Sequence, residues 1–226
     1  LPELLDSAEL DRRDAGFATA LTYGTLRLQG RYDAMIATCT DRHLEQIEPA
    51  VLDVLRLGAH QLMGMRVAQH AAVSTTVDLA ADSCGRGAAT FVNAIMRRLS
   101  DQDPDAWMAL LSRDAPDETV ALARTQSHPQ WIVKALRQAL VTHGRSAEEL
   151  EALLVADNTD PEVALCARPG LIAPEALAKT ARKADRVHGV EPRLGRISPL
   201  AVVLVGGDPG RIEAIRDSRA GVEDEG

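Results

Sequence analysis

The side chains able to do covalent or acid–base chemistry are few and scattered. Cys39, Cys84 and Cys166 stand far apart, with no CxxC step and no cysteine–histidine pairing. Neither a metal site nor a disulfide frame is predicted from them. His43, His60, His70, His128, His143 and His188 show no triad-like or metal-like spacing from a carboxylate. No nucleophile–base constellation can be assembled. Val203-Leu204-Val205-Gly206-Gly207-Asp208 puts a glycine turn after an apolar run. A lone Gly-Gly-Asp-Pro-Gly reads as a tight turn rather than a nucleotide loop. The expectation is a chain with no catalytic, cofactor-binding or metal residues of its own.

Cations in helical register offer a different chemistry, contact with phosphate oxygens. Arg27 and Arg31 are four apart, Arg12 and Arg13 lie near a helix start, and Arg97 and Arg98 end a helix. Between residues 179 and 196, Lys179, Arg182, Lys183, Arg186, Arg193 and Arg196 face only Asp185 and Glu191. The first ten of these cations down to Arg186 are the candidate RNA-binding residues. The stretch has no interleaved aromatics, so base stacking is not expected there.

The elements that must position these side chains are mostly helices. Residues 6–30 read as one helix that Asp11 or Asp14 could cap, with Phe17, Leu21 and Leu28 on one side. Residues 31–39 form a short helical piece. Pro49 suits the first turn of a helix over 48–63. Helices are also predicted over 71–82, closed by Gly85, and over 87–99. In the latter Phe91, Val92, Ile95, Met96 and Leu99 make the apolar face and Asn93 and Arg97 stand off it. Shorter helices follow at 104–113 and 116–125. The helix over 129–140 is amphipathic, with Trp131, Ile132, Ala135, Leu136, Ala139 and Leu140 as its face, and 146–156 closes the series. After Asp157 the pattern changes: a strand at 163–166, a helix at 174–184 and a buried strand at 200–205 predict a small α+β module.

Composition narrows the classes. An apolar share of 46% is ample for a core, while aromatics at 3% leave Leu, Ala, Val and Ile to build it, a mix that favours helix. No apolar run approaches a membrane span, no signal peptide is present, and a reducing, cytoplasmic setting is expected. The chain opens on Leu1 rather than Met, which reads as a trimmed start. A net charge of −8 argues against a general nucleic-acid coat. Residues 1–126 carry 12 basic and 18 acidic side chains, so any RNA contact must be a local patch. No DNA partner is expected.

Ala20-Leu21-Thr22-Tyr23-Gly24-Thr25-Leu26-Arg27, then Phe91-Val92-Asn93-Ala94-Ile95-Met96-Arg97-Arg98, then Ser127-His128-Pro129-Gln130-Trp131, occur in this order. Together they resemble the front half of bacterial ribosomal RNA (cytosine-C5) methyltransferases of the RsmB, Fmu or Sun type. Tyr23, Gly24, Leu26 and Arg27 match that family's Tyr-Gly-x-Leu-Arg, and Asp33 matches its Leu-Asp step with Tyr32 replacing Leu. The resemblance implies a mainly α fold: a NusB-like all-helical bundle over residues 1–126, then connector helices and a small α+β module over 127–226. A methyltransferase domain would follow. S-adenosylmethionine would be the cofactor of the full enzyme, and small-subunit ribosomal RNA and the catalytic domain would be the partners. The family's thiol chemistry uses Thr-Cys and Pro-Cys contexts in the catalytic domain. Thr38-Cys39 lies in the helical front region and reads as a chance match. The family's Arg-Val-Asn strand marker is replaced by Leu165-Cys166-Ala167-Arg168. By this reading the chain grips RNA and is inactive alone. The alternative is a stand-alone NusB-like antitermination regulator.

Overall fold

A computed structural model describes all residues except 161, 185–190, 205–208 and 225–226. It divides into two compact units, residues 1–159 and 160–226. The first is all-helical and the second holds a small sheet. This is the NusB-like helical bundle plus α+β module expected from the sequence.

In the first unit, helices follow one another with short breaks that the sequence dictates. The expected single helix over 6–30 is instead α1 (Pro2–Ser7) and α2 (Arg12–Arg27). Asp11 sets the start of α2, because its carboxylate accepts from the Asp14 amide at 2.8 Å and stops the helix from running back. Helix α3 (Gln29–Thr38) follows directly after Leu28. Pro49 opens α4 (Pro49–Met63), where its missing N–H costs nothing. Helices α5 (Gln69–Cys84) and α6 (Arg86–Ser100) are joined by Gly85 alone. Gly85 has φ +89°, a conformation that favours glycine and reverses the chain in one residue. Asp103 caps α7 (Pro104–Arg113) and Asp117 caps α8 (Glu118–Thr125), each accepting a backbone N–H at 2.8 Å. Helix α9 (Gln130–Thr142), a 3₁₀ turn carrying a Ser146/Glu149 capping box, and α10 (Leu150–Asp157) complete the unit.

The main core joins α3, α4, α6 and α7 through Tyr32, Met35, Ile36, Leu55, Val92, Met96, Leu99 and Trp107. Trp107 is buried, and its indole N–H donates to the Leu99 carbonyl at 3.0 Å, so burial of its polar atom carries no penalty. Gly58 lets α4 approach its neighbours: a Cβ there would lie 2.6 Å from the Met96 sulfur. A second core holds α8, α9 and α10 together through Leu122, Ala123, Val133, Leu150 and Leu154. Here one expectation is corrected. The buried stripe of α9 is Val133, with Leu136 and Leu140 packed against the same core, and Trp131 is 68% exposed. Leu136 and Leu140 of the expected face do pack inward, but Val133 joins them in place of Trp131. Val133 meets α8 and α10, and because it stands two residues from Trp131 on a helix, its burial turns the indole outward.

The second unit is an antiparallel sheet of order β2-β3-β1-β4. Strands β1 (Val163–Ala167) and β3 (Ala201–Leu204) pair centrally, with Leu165 opposite Val202. The edges, β2 (Arg193–Leu194) and β4 (Ala220–Val222), are very short. Helix α11 (Pro174–Ala184) lays Leu177 and Ala181 against Leu165, Val202 and Leu204, and α12 (Glu213–Arg216) adds Ala214. The Gly206-Gly207-Asp208 turn read from the sequence lies outside the described residues.

Candidate nucleic-acid interface

A solvent-open polar groove of the helical unit lies between α5 and α6. Gln69, His70, Ser74 and Asp78 from α5 and Asn93, Arg97 and Ser100 from α6 line a groove of about 600 Å³, floored by Val73 and Val77. Its construction follows from helical spacing. His70 and Ser74 are four apart, as are Asn93 and Arg97, so each pair shares a face. The opposite face of α6 buries Val92, Ile95, Met96 and Leu99 and thereby fixes the rotation that aims Asn93 and Arg97 into the groove. Gln69 Nε2 donates to the Ser100 carbonyl and ties the two helices at one end. Arg97 is exposed and meets no carboxylate among the described residues. The groove therefore offers a guanidinium and a half-buried amide, a combination suited to phosphate and base-edge contacts. It also contains Asp78, which limits how much anionic charge can settle there.

The other predicted cations are placed as follows. Arg13 is exposed near the start of α2, and the Arg12 side chain lies outside the described set. Arg27 is half-buried in the last turn of α2 and is engaged within the protein. Arg31 is tied inward: its Nε donates to the Thr125 carbonyl at 2.7 Å, and its backbone N–H donates to Ser127 Oγ at 3.3 Å. Burial holds its guanidinium below the usual arginine pKa, partly offset by Tyr32. Arg98 donates through Nη1 to the Cys39 carbonyl at 2.7 Å. On α11, Lys179, Arg182 and Lys183 are carried opposite the buried Leu177 and Ala181, and Arg182 pairs with Glu191 at 2.6 Å. Arg186 lies outside the described residues. The structure thus keeps Arg97 on open surface while Arg31 and Arg98 also brace the fold.

The motif residues shared with the RsmB type assemble a support rather than a reactive centre. Gly24 packs against His60 so closely that a Cβ would fall 2.1 Å from its Nε2. Tyr32 and His60 Nδ1 lie 2.7 Å apart in the core. Burial pushes the Tyr32 phenol above its usual pKa, so it stays protonated. Asp33 receives Nε and Nη2 of Arg56 at 2.7 and 2.8 Å, and Asp53 receives Nη1 at 2.9 Å. The side-chain hydrogen bond from Asp33 is the main reason the Arg56 guanidinium sits above its ordinary pKa.

Cys39 is 3% exposed, and burial pushes its thiol up to about 11. A thiol held protonated at neutral pH is a poor nucleophile, which fits a core residue. No group of three or more potential metal ligands occurs among the described residues, and none of their helices is long and apolar enough to cross a membrane. The sequence reading missed the α5 half of the groove and the exposure of Trp131. The polar four-residue steps His70–Ser74 and Asn93–Arg97 were the signal that could have paired α5 with α6.

Comparison with known proteins adds a lineage to this geometry. Residues 1–101 match the NusB family. The whole chain is 42% identical over 227 residues to "Putative methyltransferase Rv1407" of Mycobacterium tuberculosis strain H37Rv, covering 47% of that protein. It is 32% identical over 165 residues to ribosomal RNA small subunit methyltransferase B of Pseudomonas syringae pv. tomato, covering 73% of this chain and 33% of that one. It is 26% identical over 235 residues to the probable ribosomal RNA small subunit methyltransferase B of Bacillus subtilis, again covering 47% of the relative. Among solved structures, the crystal structure of PH0851 shares the fold with a TM-score of 0.70 at 12% identity, covering 98% of this chain and 47% of that one. The chain spans about half the length, or less, of the relatives it matches.

Proposed function

Because residues 1–101 form a NusB-family domain, and because proteins named ribosomal RNA small subunit methyltransferase B match most or all of the chain, we propose that this chain is the RNA-gripping part of a ribosomal RNA methyltransferase. Residues 1–126 act as the NusB-like RNA-binding domain, and residues 127–226 connect it to a catalytic domain. The parent enzyme works in the cytoplasm and methylates C5 of a cytosine in small-subunit ribosomal RNA with S-adenosylmethionine. The observation that carries the reading is the α5–α6 groove, where Arg97 has no carboxylate partner among the described residues and the Asn93 amide is aimed at the same space. Phosphate positions the strand at Arg97, and Asn93 contacts a base or ribose.

The chain contributes binding and orientation. Holding the target strand in register converts methyl transfer from a bimolecular encounter into a positioned one. The groove is open to solvent and lined mainly by polar side chains, which suits an RNA strand and does not suit enclosure of S-adenosylmethionine. The test has two arms. This chain should bind a small-subunit ribosomal RNA fragment with an affinity that falls with salt. Deleting the encoding gene should convert a bisulfite-resistant cytosine of that RNA into a sensitive one. An unchanged bisulfite pattern would remove the methylation reading and leave a NusB-like regulator.

A further inference from the structure

Trp131 is the largest of the exposed hydrophobic side chains, at 68% exposure. The other tryptophan, Trp107, is 2% exposed and hydrogen-bonded in the core. An indole left outside by the helix that carries it needs a reason, since the same helix buries Val133 completely. Its mount is rigid. Ser127, at φ +56°, accepts the Gly30 and Arg31 amides through Oγ. The Gln126 carbonyl accepts from Asn158 Nδ2 at 2.7 Å. Pro129 then leads into α9, and two residues later Trp131 projects from a helix whose rotation is set by Val133, Leu136 and Leu140.

The surroundings select a partner chemistry. Lys134, Ala135 and Gln138 lie three, four and seven residues after Trp131 on the same exposed face. Lys134 has no hydrogen-bond or ion-pair partner among the described residues. Residues 119–147 contain Arg124, Lys134, Arg137 and Arg145 and no aspartate or glutamate, in a chain with 33 acidic residues. The neighbouring carboxylates pair with other side chains of this segment, Glu118 with Arg137, Glu149 with Arg145 and Asp157 facing His128, and none of them meets Lys134. A large aromatic plane beside a free ammonium, with a small alanine leaving the plane open, matches an unpaired base and its phosphate.

We propose that the α9 face bearing Trp131, Lys134, Ala135 and Gln138 is a stacking platform for single-stranded RNA, with one unpaired base on the indole and the adjoining phosphate at the Lys134 ammonium. The platform rests on the RNA-binding reading above and extends it, by naming a second contact and the single-stranded form of the ligand.

Intrinsic fluorescence tests it directly, since only Trp131 of the two tryptophans faces solvent. The whole 226-residue chain is titrated with a mixed-sequence oligoribonucleotide of about twelve nucleotides, while anisotropy of a labelled copy reports binding independently. Tryptophan emission should be quenched along the same curve. Trp131→Ala should weaken binding about five-fold to a hundred-fold, and Trp131→Phe should recover part of it. Lys134→Gln should flatten the log affinity–log salt slope by about 0.7, the value for one phosphate on a single strand. Binding by anisotropy with unchanged emission and a wild-type Trp131→Ala affinity would overturn the platform and leave the RNA reading intact. No anisotropy change at low salt would overturn the RNA reading, and the platform with it. If emission of the free chain resists quenching by acrylamide, the indole is covered by a protein surface and the platform is wrong. Because Trp131 lies outside the apolar cores, circular dichroism of its variants should match the parent and exclude unfolding as the cause.

Discussion

At the residue scale, charge is spent in two ways. Arg31 and Arg98 donate to main-chain carbonyls, while Arg97 faces the α5–α6 groove. Arg97→Gln should therefore weaken RNA binding several-fold and reduce the salt slope by about 0.7 with little loss of stability. Arg31→Gln should do the reverse, lowering the melting temperature with less effect on the slope. Comparing the two variants by anisotropy and thermal denaturation separates a contact from a brace. Cys39 gives a pH prediction. Its folded pKa is raised from 9.0 to about 11 because burial disfavours the thiolate. The stabilisation is present below about pH 9 and is lost as pH rises towards about 11, because the unfolded chain releases the proton first. Folded protein should leave Cys39 unlabelled by a thiol reagent at pH 7.5, and brief labelling there would contradict this burial.

At the element scale, the matched motif is a packing device. Gly24 in α2 touches His60 of α4, and Tyr32 of α3 holds the same imidazole. Gly24→Ala would drive a Cβ to 2.1 Å from His60 Nε2. His60 is buried and engaged, so it cannot swing away cheaply, and a loss of about 1–3 kcal/mol is expected. A thermal melt within a degree of the parent would refute the close approach. The sequence made most helix limits legible, because Asp11, Pro49, Gly85, Asp103 and Asp117 are local stop and start signals whose effect needs no tertiary partner. It misjudged residues 6–30, where a capping aspartate and Leu28 divide what periodicity alone runs together. It also passed over β2 and β4. A strand of two or three residues has no period to read and exists only through its pairing with β3 or β1.

At the scale of the whole molecule, the net charge of −8 sets the style of binding. Under the proposed function RNA is met by patches, namely the groove at Arg97, the face at Lys134 and the α11 cations, rather than by a coat. The log affinity–log salt slope should then lie between about −1 and −3, reflecting a few phosphates at about 0.7 each. A slope beyond about −5 would require more phosphate contacts than these few cations supply and would overturn the patch reading. The units 1–159 and 160–226 have separate apolar cores.

Local signals in the sequence determined that this protein is mainly helical, where its chain turns and which three segments tie it to the NusB-like and RsmB-type pattern. Caps, prolines, glycines and periodicity act over a few residues and survive in any context. Which apolar residues of α9 are buried, which arginine braces the fold and which faces solvent, and that His70 and Ser74 meet Asn93 and Arg97 across a groove were decided only by the tertiary structure. Those outcomes depend on contacts between residues distant in the chain, and a helix with apolar residues on more than one side carries no local preference for which of them a neighbour will cover.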